Sequence, residues 1–476
     1  MSPQPSLDPN DPLNWSTWQK YSTYLTICCF SFLATCSASK FTVAILPLAK
    51  EFNVTPTRAG QQVCFNVLLL GLGNIFWAPI MRRVGKRPIY LTAMALLVGT
   101  NVWSRYAGRF NSLLASSMLS GFASSAADAT VPAVVADLFF VQQRGAAMML
   151  FSAAMSGGFF IGPLISAFCV QHSGWRLSCT VIASLVGFLW VVSIFTLRET
   201  SYHDRNVYAP ATSYGETKTF RQNLSITSGY NGDGCAIKST GNLISILTYP
   251  GTLCSGLAVG AFIGGSVAVQ LASAQFFILP SYYSWQTRSL GLLSIAGFIG
   301  CAIALFFGGY LIDIISNRFT TSHEGRREPE YRLWAIIIPL IVGPMGIILF
   351  SLTLADHKPW IAPAVGYAMQ GFGLTAASNI LYTYILDSYL PFASEVAAAA
   401  SILRGTIATL LTLWLYPWIK AAGLKQAFGQ IVGIQYFLGL WVILFLFWGK
   451  RIRLMTARYG PMSRCRYARQ PGICDS

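Results

Sequence analysis

The sequence predicts an all-α membrane protein, with twelve transmembrane helices in two six-helix bundles, and three observations carry that expectation. Of the 476 residues, 54% are hydrophobic and only 11% charged, where a soluble chain is about 25% charged. Mean hydropathy is accordingly positive, +0.52, and such a composition cannot cover a globule with polar surface. Apolar windows of about 20 residues, the length that crosses about 30 Å of hydrocarbon at about 1.5 Å per residue, recur along the chain. The runs are continuous rather than alternating, so they read as helices and not as barrel strands.

Residues 1–21 are polar, carry Pro and Asp, and lack a small-residue cleavage site after a short apolar core. They read as a cytoplasmic segment without a cleavable signal. Six spans are expected at 22–46, 60–80, 88–104, 112–137, 145–170 and 177–197, an N-terminal bundle over 22–197. Residues 198–248, with His203, Asp204 and Arg205 followed by Ser, Thr, Gly and Asn, are the one long polar interruption and read as a flexible cytoplasmic linker. Six further spans at 251–280, 289–312, 333–354, 361–387, 395–418 and 428–448 make a C-terminal bundle over 249–448. The tail, 449–476, is basic from Lys450 and suits either a topology-fixing stop signal or contact with anionic headgroups. An even number of spans puts both ends on one side, and the Lys/Arg bias makes that side the cytoplasm.

Charge and motif content narrow the function. The 33 basic residues against 17 acidic ones, net +16, lie mostly between spans, so the expected partner is the lipid bilayer and not nucleic acid. Eleven cysteines, such as Cys28, Cys29, Cys36 and Cys301, sit mostly inside apolar runs and read as packing residues. No G-x-x-x-x-G-K-[ST] cradle is present, so the chain carries no ATP motor. His172, His203, His323 and His357 fall in loops, with no H-E-x-x-H or Cys/His cluster, so neither a metal site nor another cofactor is expected. Voltage-sensor arginine ladders and a carbonyl-lined filter sequence are also missing. An enzyme is not expected, because no nucleophile, base and orienter converge. A gradient-driven transporter remains. Asn53, in Asn53-Val54-Thr55 of the first outer loop, is a formal glycosylation acceptor; Asn14 and Asn223 fit the pattern on the cytoplasmic side.

Between the second and third spans the chain reads Gly73-Asn74-Ile75-Phe76-Trp77-Ala78-Pro79-Ile80-Met81-Arg82-Arg83-Val84-Gly85-Lys86-Arg87-Pro88. Gly85 permits a turn with positive φ, and Lys86 and Arg87 hold the loop inside. The fifth span contains Gly157-Gly158-Phe159-Phe160-Ile161-Gly162-Pro163-Leu164-Ile165-Ser166-Ala167. Gly158 and Gly162 lie one turn apart and allow close helix approach, and Pro163 loosens the backbone at that seam; an ordinary small-residue packing face is the plainer alternative.

These stretches resemble the signature loop and the antiporter element of the major facilitator superfamily. Asp11-Pro12-Leu13-Asn14-Trp15, Ala136-Asp137-Leu138-Phe139-Phe140, Arg144-Gly145 and Gly174-Trp175-Arg176 extend the likeness toward fungal twelve-span drug:proton antiporter-like members. The second half is similar more loosely, through Asp387-Ser388-Tyr389 and Arg404. The resemblance implies two bundles that rock about a midplane cavity. Arg83, Gly85, Lys86 and Arg87, with Asp137 and Arg144, would close the cytoplasmic side. Ala78 and Arg82 stand where the family has Gly and Asp, so Asp137 is the substitute acid for the inner-gate ion pair. Ser166 and Ala167 replace a Gly-Gly pair. Ser117 stands where relatives usually have an Arg tied to proton movement, so either Lys40 or Arg404 supplies the positive partner or coupling is weak and the protein is a facilitator.

Ionisable side chains at membrane depth are costly and are functional candidates by default. Asp128 lies about nine residues, roughly 14 Å, from the inner end of the fourth span. Gly121, Ser125, Asp128 and Pro132 form a small, polar stripe suited to a cavity wall. Asp128 is expected to exchange a proton or hold a substrate cation, with a structural ion pair as the alternative. Lys40 either snorkels outward or faces Asp128 across the cavity. Arg404 is near mid-depth, with anion binding or gating set against helix–helix hydrogen bonding. Asn66, Gln270, Gln275, Asn379, Tyr382 and Trp414 are candidate cavity residues by depth and polarity.

The expected function is secondary active transport of a small organic compound, drug-like or a secondary metabolite, by proton-coupled efflux from a plasma-membrane monomer. Aromatic, mostly apolar walls suit a lipophilic or weakly cationic solute. Proton-driven uptake or facilitated diffusion of a nutrient such as a polyamine or vitamin, and a non-transporting nutrient sensor on the same scaffold, are the alternatives.

Overall fold

A computed structural model describes residues 11–201, 236–279, 282–322, 329–389 and 392–458. The expectations for the polar stretch 202–235 and for most of the basic tail fall outside these residues, as do His203, Asn223 and His323. The N-terminal half consists of α1 (Thr17–Ser39), α2 (Ile45–Glu51), α3 (Pro56–Leu72), α4 (Asn74–Val84), α5 (Lys86–Arg105), α6 (Phe110–Leu138), α7 (Val141–Ser173) and α8 (Trp175–Thr196). The C-terminal half consists of α9 (Ala236–Leu247), α10 (Pro250–Phe276), α11 (Thr287–Ser322), α12 (Ile337–Ala355), α13 (Ile361–Ser388), α14 (Ala393–Leu413), α15 (Leu415–Ala422) and α16 (Leu424–Arg458). No strand occurs among the described residues.

Nine helical rods among the described residues are long and apolar enough to cross a bilayer, one of them Pro56–Val84, which joins α3 and α4. α5, α6 and α13 are of comparable length but more polar. They keep Asn101, Ser104, Ser116, Ser120, Asp128, Gln370 and Asn379 buried, since polar side chains at membrane depth must face protein rather than acyl chains. Phe188, Phe195, Phe306, Phe447 and Trp448 are each more than half exposed, as fits a body solvated by lipid.

Local chemistry sets the breaks between rods. Gly85 (φ 102°) and Gly174 (φ 84°) turn the chain within one residue between α4 and α5 and between α7 and α8, a conformation that costs glycine least. Thr55 caps α3 by accepting the Arg58 N–H at 3.3 Å, with Pro56 in the first turn. Before α1, fully buried Asp11 accepts the Leu13 N–H at 3.0 Å, and Lys20 donates to the Leu13 carbonyl at 2.8 Å.

α9 lies inside the stretch expected to be flexible linker. It is helical and packs on α4 and α14, because Leu243 and Ile246, at helical spacing, are buried there and offset the entropy of ordering.

The halves meet where side chains are smallest. α3 lies against α14: a Cβ on Gly71 would come 2.8 Å from the Ser401 carbonyl oxygen and 3.0 Å from Gly405 Cα. α7 lies against α11, with Gly297 under the Phe160 ring. The Gly158–Gly162 face, by contrast, receives α1 within the N-terminal half, where Cβ atoms would collide with Phe32, Thr35, Cys36 and Ser39. That motif builds one bundle rather than the seam between the two; Pro163 continues it inside α7.

Candidate functional site

Both halves contribute to a central cavity. α1 supplies Thr35 and Ala38, α3 supplies Val63, Val67 and Leu70, and α7 supplies residues from Phe151 to Phe159. The opposite wall comes from Ile263 of α10, Leu374, Ser378 and Tyr382 of α13, and Arg404 and Gly405 of α14. Among the described residues the lining is apolar apart from Thr35, three serines, the Tyr382 phenol and the Arg404 guanidinium. Thr35 is not available to a ligand as a donor, since its hydroxyl bonds to the Ser31 and Phe32 carbonyls at 3.0 and 2.9 Å.

Arg404 donates through Nη2 to Oδ2 of Asp128, which stands behind it on α6 of the other half. Both side chains are almost fully buried. The guanidinium also lies 5.7 Å from the Tyr382 ring centroid, and the Tyr382 hydroxyl is 3.2 Å from Ser401 Oγ. Three of the residues singled out from sequence thus converge. Lys40 does neither of the two things expected of it. It is buried at the end of α1, bonded to Asn101 Oδ1, 3.5 Å from Ser37 Oγ and 4.7 Å from the Phe41 ring centroid. Asn101 of α5, not anticipated from sequence, satisfies it inside the N-terminal half, so among the described residues Arg404 is the cation on Asp128.

The other cavity candidates are placed elsewhere. Asn66 is buried against α6, donating to the Ser117 carbonyl at 2.7 Å. Gln270 donates to the Phe159 carbonyl at 3.1 Å, a bond between the halves. Gln275 is half-buried near the end of α10, and Asn379 is buried on α13; neither lines the cavity. Trp414 is corrected outright: 61% exposed at the junction of α14 and α15, it faces away from the cavity because that helix ends there.

At the end of the molecule that carries α1's start and α16's end, charged residues tie the loops together. Lys86 pairs with Asp137, the substitute acid expected from sequence. Arg144 donates to the Ala136 carbonyl at 2.8 Å and to the Phe139 carbonyl at 3.2 Å, closing the C-terminus of α6. Glu199 accepts the backbone N–H groups of Lys86 and Arg87, both at 3.0 Å, at the start of α5, where a carboxylate is favoured. Arg87 donates to the Ile194 carbonyl at 2.8 Å, whereas Arg83 is exposed. A second pair between the halves lies here: Arg82 Nη2 is 2.6 Å from Glu395 Oε2 in the first turn of α14. Glu395 also accepts from Ser394 Oγ at 2.8 Å. Glu395 and Glu199 escaped the sequence reading because each lies at the end of a span, where an acid reads as ordinary loop charge. Asn53, with φ 51°, is exposed between α2 and α3.

A small-molecule cavity between two helical halves, flanked by a buried ion pair that joins them, is the arrangement of a membrane carrier, and comparison with known proteins agrees. The family model described as Major Facilitator Superfamily matches residues 27–411. Protein HOL1 of Saccharomyces cerevisiae is 25% identical over 96% of this chain and 90% of its own length. Efflux pump radE of Floropilus chiversii is 24% identical over 94% of this chain and 83% of its own. Among solved structures, the proton:xylose symporter XylE shares the fold at a TM-score of 0.63 and 14% identity, covering 91% of this chain and 96% of that one. The chain is a multi-pass membrane transporter, not an enzyme, and it belongs to the major facilitator superfamily.

Proposed function

We propose that the protein exports a small organic compound in exchange for protons, by alternating access of the central cavity. The observation that carries this reading is the Asp128–Arg404 pair: the one charged side chain among the described residues of the cavity wall is held by a carboxylate from the opposite half. Protonation of Asp128 removes the attraction between α6 and α14, so proton binding and the separation of the halves are one event. Arg82–Glu395 closes the terminus-side end in the same way. Export is favoured over uptake because several relatives are named as efflux pumps. The protein acts as a monomer in the plasma membrane with both termini cytoplasmic, which puts Asn53 outside and open to glycosylation.

A pump-deficient yeast expressing the protein, grown over a panel of toxic organic compounds, identifies a cargo. Inside-out vesicles then measure its uptake under an imposed pH gradient. Wild-type vesicles should accumulate the compound and lose it when the gradient is collapsed, and Asp128→Asn vesicles with normal protein levels should do neither. Uphill accumulation by Asp128→Asn equal to wild type would overturn the proton role, and enhanced compound sensitivity of expressing cells would reverse the direction.

A further inference from the structure

The charge balance of the cavity bears on what it carries. Arg404 is the one charged side chain among the described lining residues, and Asp128 neutralises it from behind. Ser152 and Ser156, one turn apart on α7, and Ser378 on α13 reach the cavity without a hydrogen bond to another described residue. Phe151, Phe159 and Tyr382 offer ring surface around them. Building on the transporter reading above, we infer that the cargo carries no net charge: it is a lipophilic, ring-bearing molecule with one or two hydrogen-bonding atoms. A cation finds no free carboxylate among the described residues of this wall and meets Arg404. An anion has to displace Asp128 from Arg404, which the buried pair resists. A neutral ring compound loses nothing to either and gains apolar contact plus the serine hydroxyls.

The same pair makes the wall switchable. A proton from water adds to the Asp128 carboxylate; no other bond forms or breaks, and the guanidinium, which keeps its own proton, loses its counterion. A buried cation without a partner draws water, and water at Arg404 takes the place of apolar cargo. Departure of the proton on the other side restores the pair and the dry wall. Cargo and proton thereby exclude one another, as exchange in opposite directions requires.

N-phenylnaphthylamine and anilinonaphthalene sulfonate share one aromatic body and differ by a sulfonate, so they separate charge from shape. Both dyes are titrated by fluorescence into the full chain in lipid nanodiscs at neutral pH, with Ser156→Trp, which fills the cavity, as the blank. Wild type should bind the neutral dye saturably and the sulfonate not at all. Asp128→Asn should weaken the neutral dye at least tenfold and acquire saturable sulfonate binding. Asp128→Asn/Arg404→Met should restore the first and abolish the second, which keeps the result readable if the single variant is unstable. Wild-type affinity for the sulfonate equal to that for the neutral dye overturns the inference. So does unchanged neutral-dye affinity in Asp128→Asn, or no saturable binding of either dye to wild type. Proton-linked export itself stands or falls separately, on the vesicle accumulation described above.

Discussion

Asp128 and Arg404 stand 276 residues apart in the chain, on helices of opposite halves, and their side chains meet as a buried ion pair beside the central cavity. Taking away one member of such a pair strands the other in low dielectric and costs about 3–5 kcal/mol, whereas replacing both by apolar side chains of similar size is close to neutral. Arg404→Met should therefore lower the thermal unfolding midpoint of the purified protein more than Asp128→Leu/Arg404→Met does. Equal losses in the single and double variants would show that the two groups are not energetically coupled.

The Arg82–Glu395 bridge joins a partly exposed arginine to a buried glutamate, with side-chain exposures of 36% and 1%. An ion pair open to solvent on one side adds roughly 1 kcal/mol or less to stability, so its expected effect is on conformation. Spin labels at Trp18→Cys on α1 and Arg451→Cys on α16 report the separation of the halves at this end. Arg82→Glu sets two acids face to face and should lengthen that distance, and Arg82→Glu/Glu395→Arg should return it to the parent value. An unchanged distance in Arg82→Glu would rule out a latch.

Glycines separate into those that space helices and those that do not. A Cβ at Gly158 would overlap the Phe32 carbonyl and the Thr35 hydroxyl, whereas one at Gly99 in α5 meets nothing within 4 Å. Gly158→Leu should cost about 1–3 kcal/mol or more, because backbone cannot move aside cheaply. Gly99→Ala should be neutral or stabilise by about 0.4–1 kcal/mol through the unfolded chain. Thermal unfolding of the two variants checks the contrast, and a similar loss in both would contradict it.

Outside the spans, Lys425 donates to Asp356 at 2.6 Å, and that hydrogen bond holds the Asp356 carboxyl below its usual range. A depressed carboxyl favours the folded state above the unfolded group's value of about 4 and loses that contribution as pH falls through the lower folded value. Any difference in unfolding midpoint between wild type and Lys425→Met should thus be present at neutral pH and shrink in acid. A difference that grew on acidification would have the wrong sign.

Much of the fold was legible because its signals are local. Span length, unbroken apolar runs and the position of basic loops follow from the thickness of hydrocarbon and the cost of moving charge through it. α9 was the exception, since Leu243 and Ile246 are too few to announce a helix until α4 and α14 are there to cover them. For the site, depth along a helix could be counted, and it singled out Asp128 and Arg404. Direction around the helix could not.

By itself, then, the sequence determined that the chain is a two-bundle membrane protein with a very small set of charges at depth. The tertiary structure alone decided which of those charges touch: Arg404 rather than Lys40 on Asp128, Asn101 on Lys40, Glu395 on Arg82, and Trp414 turned outward. A helix repeats every 3.6 residues or so, and each turn offers faces to lipid, to a neighbour and to the cavity. Which face a side chain takes is fixed by the packing of helices that lie hundreds of residues away.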